Sequence, residues 1–197
     1  INEAALRIVR TIIAFDKEHK EYDMSVVGCP EHIAVAKEAA EKGITLIKNN
    51  DVLPLKKSET KKLALIGKLA NTAVIGDHGS SWVRPPYVVT PEEGLKKANE
   101  GCEVIYNDGS DLESAKALAR EADAVVFVVG YNYDDEGEFI SENESSNYIG
   151  SMGGDRKKGL GLHGDEAELL KQVGPVNEKS TVVLIGGNMI MMTEWYD

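Results

Sequence analysis

The sequence predicts an α/β protein, a three-layer αβα sandwich with a mainly parallel sheet. Four short apolar segments each end near a glycine, and stretches with helical periodicity lie between them. One segment, residues 124–129, is continuously apolar and rich in valine, which is typical of a strand buried on both faces of a sheet. Strands that alternate with helices form βαβ units, which give parallel strands with right-handed crossovers.

The elements of the sheet region can be placed approximately. The expected strands are residues 63–66, 103–106, 124–129 and 181–185, and the expected helices are about 91–99, 111–122 and 165–173. The middle helix is expected to begin at a capping box, in which Ser110 and Glu113 each bond the other's backbone N–H.

A further helix is expected upstream of the sheet. It covers about residues 31–42, with Pro30 in its first turn and Gly43 as its C-terminal stop. A short strand is expected directly after it, at residues 44–48.

The chain is predicted to contain one α/β domain and an arm. Residues 1–24 combine a charged connector with a helix whose apolar residues recur at i, i+3, i+4 and i+7. An amphipathic helix needs a packing partner, so we expect the helix and linker of residues 1–24 to have lost theirs, and we assign residues 25–197 to the sandwich. The sequence opens without Met and ends without a closing helix, so we expect both ends to be cut. The sequence therefore does not indicate the cellular compartment of the protein.

Composition excludes several classes of partner. The formal net charge of −11 argues against binding to nucleic acid or to an anionic membrane surface. No apolar run approaches the roughly 20 residues that span a bilayer. Cys29 and Cys102 lie far apart and form neither a metal motif nor a disulfide framework. We expect no cofactor.

The most informative stretch is acidic. Residues 134–138 hold four carboxylates and come four residues after the apolar run 124–129. Ligands of open α/β sheets bind at the carboxyl ends of the strands. Crowded carboxylates raise one another's pKa, and a carboxyl that stays protonated can act as a general acid. A solvated acidic loop is the plain alternative, and a Mg²⁺ or Ca²⁺ site is another, although the spacing fits no EF-hand. The stretch lies in an irregular segment, residues 131–163, of a length that is usually functional.

Two other loops carry candidate residues. The segment 76–86 is rich in glycine but lacks the phosphate-binding G-x-G-x-x-G pattern. Its Trp82 suits an aromatic platform for a sugar ring, or alternatively anchors the loop in the core. In the second loop, Arg156 could pair with Glu136 or Glu138 and set which carboxyl ionises, or could lie in a surface turn.

Four groups of residues, taken in chain order, carry a resemblance to a known family. They are 32–49 with 53–55, 63–67 with 76–86, 124–130 with 136–137, and 155–156. Together they resemble the second domain of glycoside hydrolase family 3, the β-glucosidase and β-xylosidase group. An insertion of about 16 residues separates Glu138 from Asp155, which resembles a subgroup with a longer acid/base loop.

The resemblance implies retaining hydrolysis of terminal β-linked sugars in a β-glucoside or related oligosaccharide, without metal or cofactor. It assigns the acid/base role to Glu136, which precedes a glycine as the family's acid does, with Glu138 as the alternative. Trp82 and Arg84 would wall the leaving-group subsite. Supporting roles would fall to three residues: Glu138, Asp155 and Arg156.

The family's nucleophile is an aspartate of a preceding barrel domain, and nothing in this sequence matches it. The resemblance therefore implies that this chain carries half of an active site and is inactive alone. It also implies that the first helix of the chain is the last helix of that barrel. A hypothesis of a different class is a flavodoxin-like ligand-binding or interaction module without chemistry of its own.

Overall fold

The computed structural model describes residues 1–21, 23–80, 82–137, 156 and 159–196. The chain divides into two compact units, residues 1–47 and 48–197. The first unit contains helix α1 (Asn2–Asp16), a short 3-10 turn (Met24–Val26) and helix α2 (Pro30–Gly43), and none of its described residues is buried. The two helices expected in this part of the sequence are confirmed.

Two details of the first unit differ from expectation. Helix α2 includes Gly43, and Ile44 follows in extended backbone, so no left-handed glycine ends the helix. The strand expected at 44–48 is not formed. A strand requires a neighbour that completes its backbone hydrogen bonds, and none of the strands that the structure describes pairs with this segment.

The second unit is built on a four-stranded parallel sheet. Its strand order is β2-β1-β3-β4, and all three strand pairs are parallel. The strands are β1 (Lys62–Ile66), β2 (Glu103–Asn107), β3 (Ala124–Gly130) and β4 (Ser180–Ile185). The helices are α3 (Pro91–Ala98), α4 (Leu112–Glu121), α5 (Tyr133–Glu136) and α6 (Gly164–Val173). Short 3-10 turns occupy Lys68–Asn71 and Gly174–Val176.

Helices cover both faces of this sheet, which confirms the αβα sandwich. All seven residues of β3 are buried. On one face, Val125, Phe127 and Val129 pack with apolar residues of α4 and α6. On the other, Val126 and Val128 pack with partly buried residues that include Leu95 of α3. A central strand that is apolar at every position thus supplies two cores at once.

The beginning of α4 corrects the expected capping box. Asp111 is the N-cap, and its carboxylate accepts from the N–H groups of Glu113 and Ser114. Ser110 instead donates its hydroxyl to Asp108. The cap therefore lies one residue later than predicted, because the Asp111 side chain is the one that reaches the free N–H groups.

A capping box does form at α3, where sequence reasoning did not predict one. The Thr90 hydroxyl accepts from the Glu93 N–H, and the Glu93 carboxylate accepts from the Thr90 N–H. None of the helices in the described ranges is long and apolar enough to span a bilayer.

Strand β3 ends where the chain must leave the sheet. Gly130 has φ +133°, and a Cβ at this position would lie 1.8 Å from the carbonyl oxygen of Ile185. Only glycine fits so close to the backbone of β4. The acidic stretch therefore begins at the carboxyl edge of the parallel sheet, next to the end of β4.

Candidate functional site

The acidic stretch begins as an ordered helical turn. Helix α5 is capped by Asn132, whose side chain accepts from the Asp134 N–H while the Asp135 carboxylate accepts from the Asn132 N–H. Acidic side chains are favoured in the first turn of a helix because the free N–H groups there carry partial positive charge. The beginning of the segment that we expected to be irregular is therefore locally ordered.

Glu136 is held between the ends of β3 and β4. Its Oε2 accepts a 2.7 Å hydrogen bond from the Gly187 N–H, directly after β4. Its Oε1 lies 3.2 Å from Nε of Arg156, and only 14% of the Glu136 side chain and 7% of the Arg156 side chain are exposed. The pairing of Arg156 with Glu136 that the sequence allowed is formed, and the alternative partner, Glu138, lies outside the described residues. Within the described residues Oε1 has no directed hydrogen bond, so this contact is an ion pair with unfavourable hydrogen-bond angles.

Arg156 is itself fixed by two other groups. Its guanidinium lies over the ring of Tyr131, 4.4 Å from the ring centroid, and donates to the carbonyl of Met189. A guanidinium can stack on an aromatic face and still form ion pairs through its edge. Arg156 thus connects the loop after β3 to the loop after β4, on both sides of Glu136.

The other carboxylates of α5 are not crowded into one cluster. Oδ1 of Asp135 lies 3.0 Å from Nε2 of His163, the N-cap residue of α6. Asp134 is exposed to solvent. Asp135 and Glu136 therefore have separate partners, which differs from the mutual crowding that the sequence suggested.

A stack of side chains links the glycine-rich loop to the acidic turn. The His78 ring lies 3.5 Å from the Tyr133 ring and 5.1 Å from the Trp82 ring, with both pairs nearly parallel. The Arg84 guanidinium lies 4.4 Å from the centroid of Trp82. The Trp82 side chain is half-buried, so it is neither fully exposed to a ligand nor fully buried in the core. Nδ1 of His78 is buried and has no hydrogen-bond partner among the described residues.

Gly137, directly after Glu136, is required by close packing. A Cβ at this position would lie 2.5 Å from the Tyr133 carbonyl oxygen and 3.0 Å from Oδ1 of Asp77. The same Asp77 oxygen accepts from the Gly79 N–H. The acidic turn and the glycine-rich loop therefore approach each other through the backbone as well as through the ring stack.

Sequence reasoning missed one residue near the site, Glu166 of α6. It is 8% exposed, and both of its carboxylate oxygens lie within 3.3 Å of the Gly130 N–H. Burial raises the pKa of Glu166 to about 7, against the opposing effects of the Gly130 N–H and of His163. A usable signal was present, because Glu166 precedes the buried Leu169, Leu170 and Val173 at helical spacing.

Two candidates from the sequence, Glu138 and Asp155, lie outside the described residues. Within the described ranges, no three His, Cys, Asp or Glu side chains converge as a metal site requires.

Fold and site together define an α/β sandwich domain that presents a held carboxylate, an arginine and an aromatic stack at the carboxyl edge of its sheet. The chain belongs to glycosyl hydrolase family 3. The model of that family's C-terminal domain, described as "Glycosyl hydrolase family 3 C-terminal domain", matches residues 44–197. The resemblance found in the sequence is thereby confirmed.

Named relatives belong to the same family of enzymes. The chain is 33% identical to a β-xylosidase of Formosa agariphila, covering 95% of this chain and 27% of that protein. It is 29% identical to the thermostable β-glucosidase B of Acetivibrio thermocellus, covering 100% of this chain and 25% of that protein. The chain thus spans about a quarter of the length of these relatives.

Solved structures of the family share this fold. A β-glucosidase of Bifidobacterium adolescentis matches with a TM-score of 0.63 and 27% identity, covering 89% of this chain and 24% of that one. A family 3 β-glucosidase of Neurospora crassa matches with a TM-score of 0.65 and 27% identity, covering 85% of this chain and 21% of that one.

Proposed function

We propose that this chain supplies the acid/base half of the active site of a retaining β-glycosidase, with Glu136 as the acid/base. One observation carries the proposal. Glu136 is held at the carboxyl edge of the sheet by the Gly187 N–H and Arg156, close to a stack of rings that contains Trp82. Family membership and the names of the relatives support the same conclusion.

The reaction has two steps, and both use Glu136. In the first, its carboxyl gives a proton to the glycosidic oxygen while a second carboxylate attacks the anomeric carbon and expels the leaving group. In the second, the Glu136 carboxylate takes a proton from water, which attacks the anomeric carbon and frees the second carboxylate. The two carboxyl groups of retaining enzymes lie roughly 5–5.5 Å apart. The contact with Arg156 suits the carboxylate form that activates water.

A preceding barrel domain supplies the second carboxylate. We assign residues 1–24 to the end of that barrel, as a helix and a linker, and residues 25–197 to the sandwich. Relatives that are about four times as long as this chain support a companion domain.

The substrate is a terminal β-linked sugar, a β-glucoside or a β-xyloside, since the relatives include enzymes named for both. Trp82 and Arg84 wall the subsite of the leaving group, with Trp82 fixed by His78 and Arg84 stacked on its ring. Arg156 orients Glu136. Glu138 and Asp155 keep their proposed supporting roles, and Glu138 is the alternative acid. Two carboxylates are enough for this chemistry, so the proposal includes no metal or cofactor.

The test is the dependence of rate on leaving group in the complete enzyme. Glu136→Ala should slow substrates with poor leaving groups by about 10²–10⁴-fold, the usual contribution of general acid catalysis. Activated aryl glycosides should lose less in bond cleavage, and azide should rescue the second step by attacking the intermediate. Glu138→Ala is the matched comparison. If the pattern appears at Glu138 instead, the acid is two residues further on; if it appears at neither, this turn does not carry the acid/base.

A further inference from the structure

We propose that Glu166 is a positioning residue for Glu136. Glu166 holds Gly130, the last residue of β3, from which the chain enters the acidic turn. This inference rests on the role proposed above for Glu136.

The geometry at the end of β3 explains why Gly130 needs Glu166. Successive N–H groups of a strand point to opposite neighbours. The Tyr131 N–H points to β4, where it donates to Ile185. The Gly130 N–H therefore points to the β1 side, but β1 ends at Ile66, which is paired with Phe127 three residues earlier. The N–H would be left without a partner in the sheet, and the Glu166 carboxylate accepts its hydrogen at 3.2 and 3.3 Å.

The segment that contains Glu166 also holds the acidic turn further along. His163 lies 3.0 Å from Asp135, and the carbonyl of Gly161 accepts from the Tyr131 hydroxyl. Residues 161–166 thus contact Gly130 at the end of β3, Tyr131 directly after it, and Asp135 within the acidic turn. Glu136 is the next residue after the last of these contacts, so a shift at Gly130 is transmitted to it through a single helical turn.

Among the residues that the structure describes, no cation forms a direct ion pair with Glu166. Among the described residues, the titratable groups that act on it are Lys68 from the turn after β1, Asp165 from its own helix, and His163, the N-cap of that helix. Lys68 is bound at 2.9 Å by Asp165. A buried carboxyl without its own cation is costly for stability. A residue that served stability alone could be apolar here, whereas an acceptor for the Gly130 N–H cannot be.

The first experiment follows backbone amides of this chain by NMR. The Gly130 amide reports on the contact with Glu166. The Gly187 amide reports on the position of Glu136, because the Gly187 N–H donates to the Glu136 carboxylate. Glu166→Leu should shift both amide resonances, whereas Glu166→Gln, which keeps an acceptor oxygen, should shift Gly187 little. Glu168→Gln is the matched control, because Glu168 is exposed on the same helix. If Gly187 does not respond to Glu166→Leu in a chain that is still folded, the contact does not position Glu136 and the proposal fails.

The second experiment measures kcat in the complete enzyme with the two classes of leaving group. A misplaced acid should slow Glu166→Leu roughly tenfold to a hundredfold on poor leaving groups, as small misplacements of catalytic groups do. Activated aryl glycosides should be affected less, and Glu166→Gln should recover most of the rate on both. An equal loss on both classes would mean that Glu166 only stabilises the fold. If Glu136→Ala itself shows no dependence on leaving group, the role proposed for Glu136 fails, while the amide shifts still decide whether Glu166 holds the turn.

Discussion

Replacing Glu166 by Gln should change how the stability of this domain depends on pH. Burial raises the pKa of Glu166 from 4.5 to about 7 in the folded chain. Below pH 4.5 the carboxyl is protonated in both states, and it has no effect on the balance between them. Between pH 4.5 and 7 the unfolded chain has released this proton while the folded chain retains it. Stability therefore falls as pH rises through this window, and above pH 7 the loss is complete.

The size of the loss follows from the shift in pKa. One pKa unit corresponds to about 1.36 kcal/mol, so a rise from 4.5 to about 7 corresponds to at most about 3 kcal/mol. Gln has nearly the same volume and does not ionise. The unfolding free energy of Glu166→Gln, relative to that of the unmodified chain, should therefore increase with pH and level off above pH 7.

Urea unfolding at pH 5, 6, 7 and 8 measures this difference. The fluorescence of Trp195, which packs against the core of the α4 and α6 face, can follow the transition. Glu168→Gln, at an exposed position of the same helix, is the matched control. A constant difference for Glu166→Gln between pH 5 and 8, or one that decreases with pH, would refute the reasoning.

Three further outcomes are expected. The purified chain alone should not hydrolyse aryl β-glycosides, and turnover that copurifies with it would mean that the roles are misassigned. His78→Ala should raise KM in the complete enzyme about 2- to 10-fold, because the His78 ring connects Trp82 to Tyr133 and ring pairs contribute about 0.5–1.5 kcal/mol. An unchanged KM would contradict a role for the stack in substrate binding. Gly137→Ala should lower kcat, because the added methyl group clashes with the Tyr133 carbonyl. Gly164→Ala should leave kcat unchanged, because the space around Gly164 is open. Equal effects of the two substitutions would contradict the close packing at Gly137.

The parallel sheet could be predicted because a strand that is buried on both faces has a continuous apolar run in its sequence. All seven residues of β3 are buried, and it contains the valine-rich run from which we predicted a strand buried on both faces. The strand expected at 44–48 failed because strand formation depends on a partner elsewhere in the chain. The cap at Ser110 failed because two adjacent residues, Ser110 and Asp111, both suit an N-cap, and only the folded backbone decides which side chain reaches the free N–H groups.

The sequence by itself determined the class of fold and the family, because strand segments, helical spacing and short motifs in a fixed chain order are all local patterns. The same local patterns suggested the candidate residues at the carboxyl edge. Which of those residues meet was decided by the tertiary structure. Arg156 reaches Glu136 across twenty residues of chain, and Glu166 reaches Gly130 across thirty-six, because both contacts depend on where the strands end. The burial that raises the pKa of Glu166 is likewise set by the packing of α6 on the sheet. Helical spacing places Glu166 on the apolar side of α6, but only the folded structure shows how completely that side is covered.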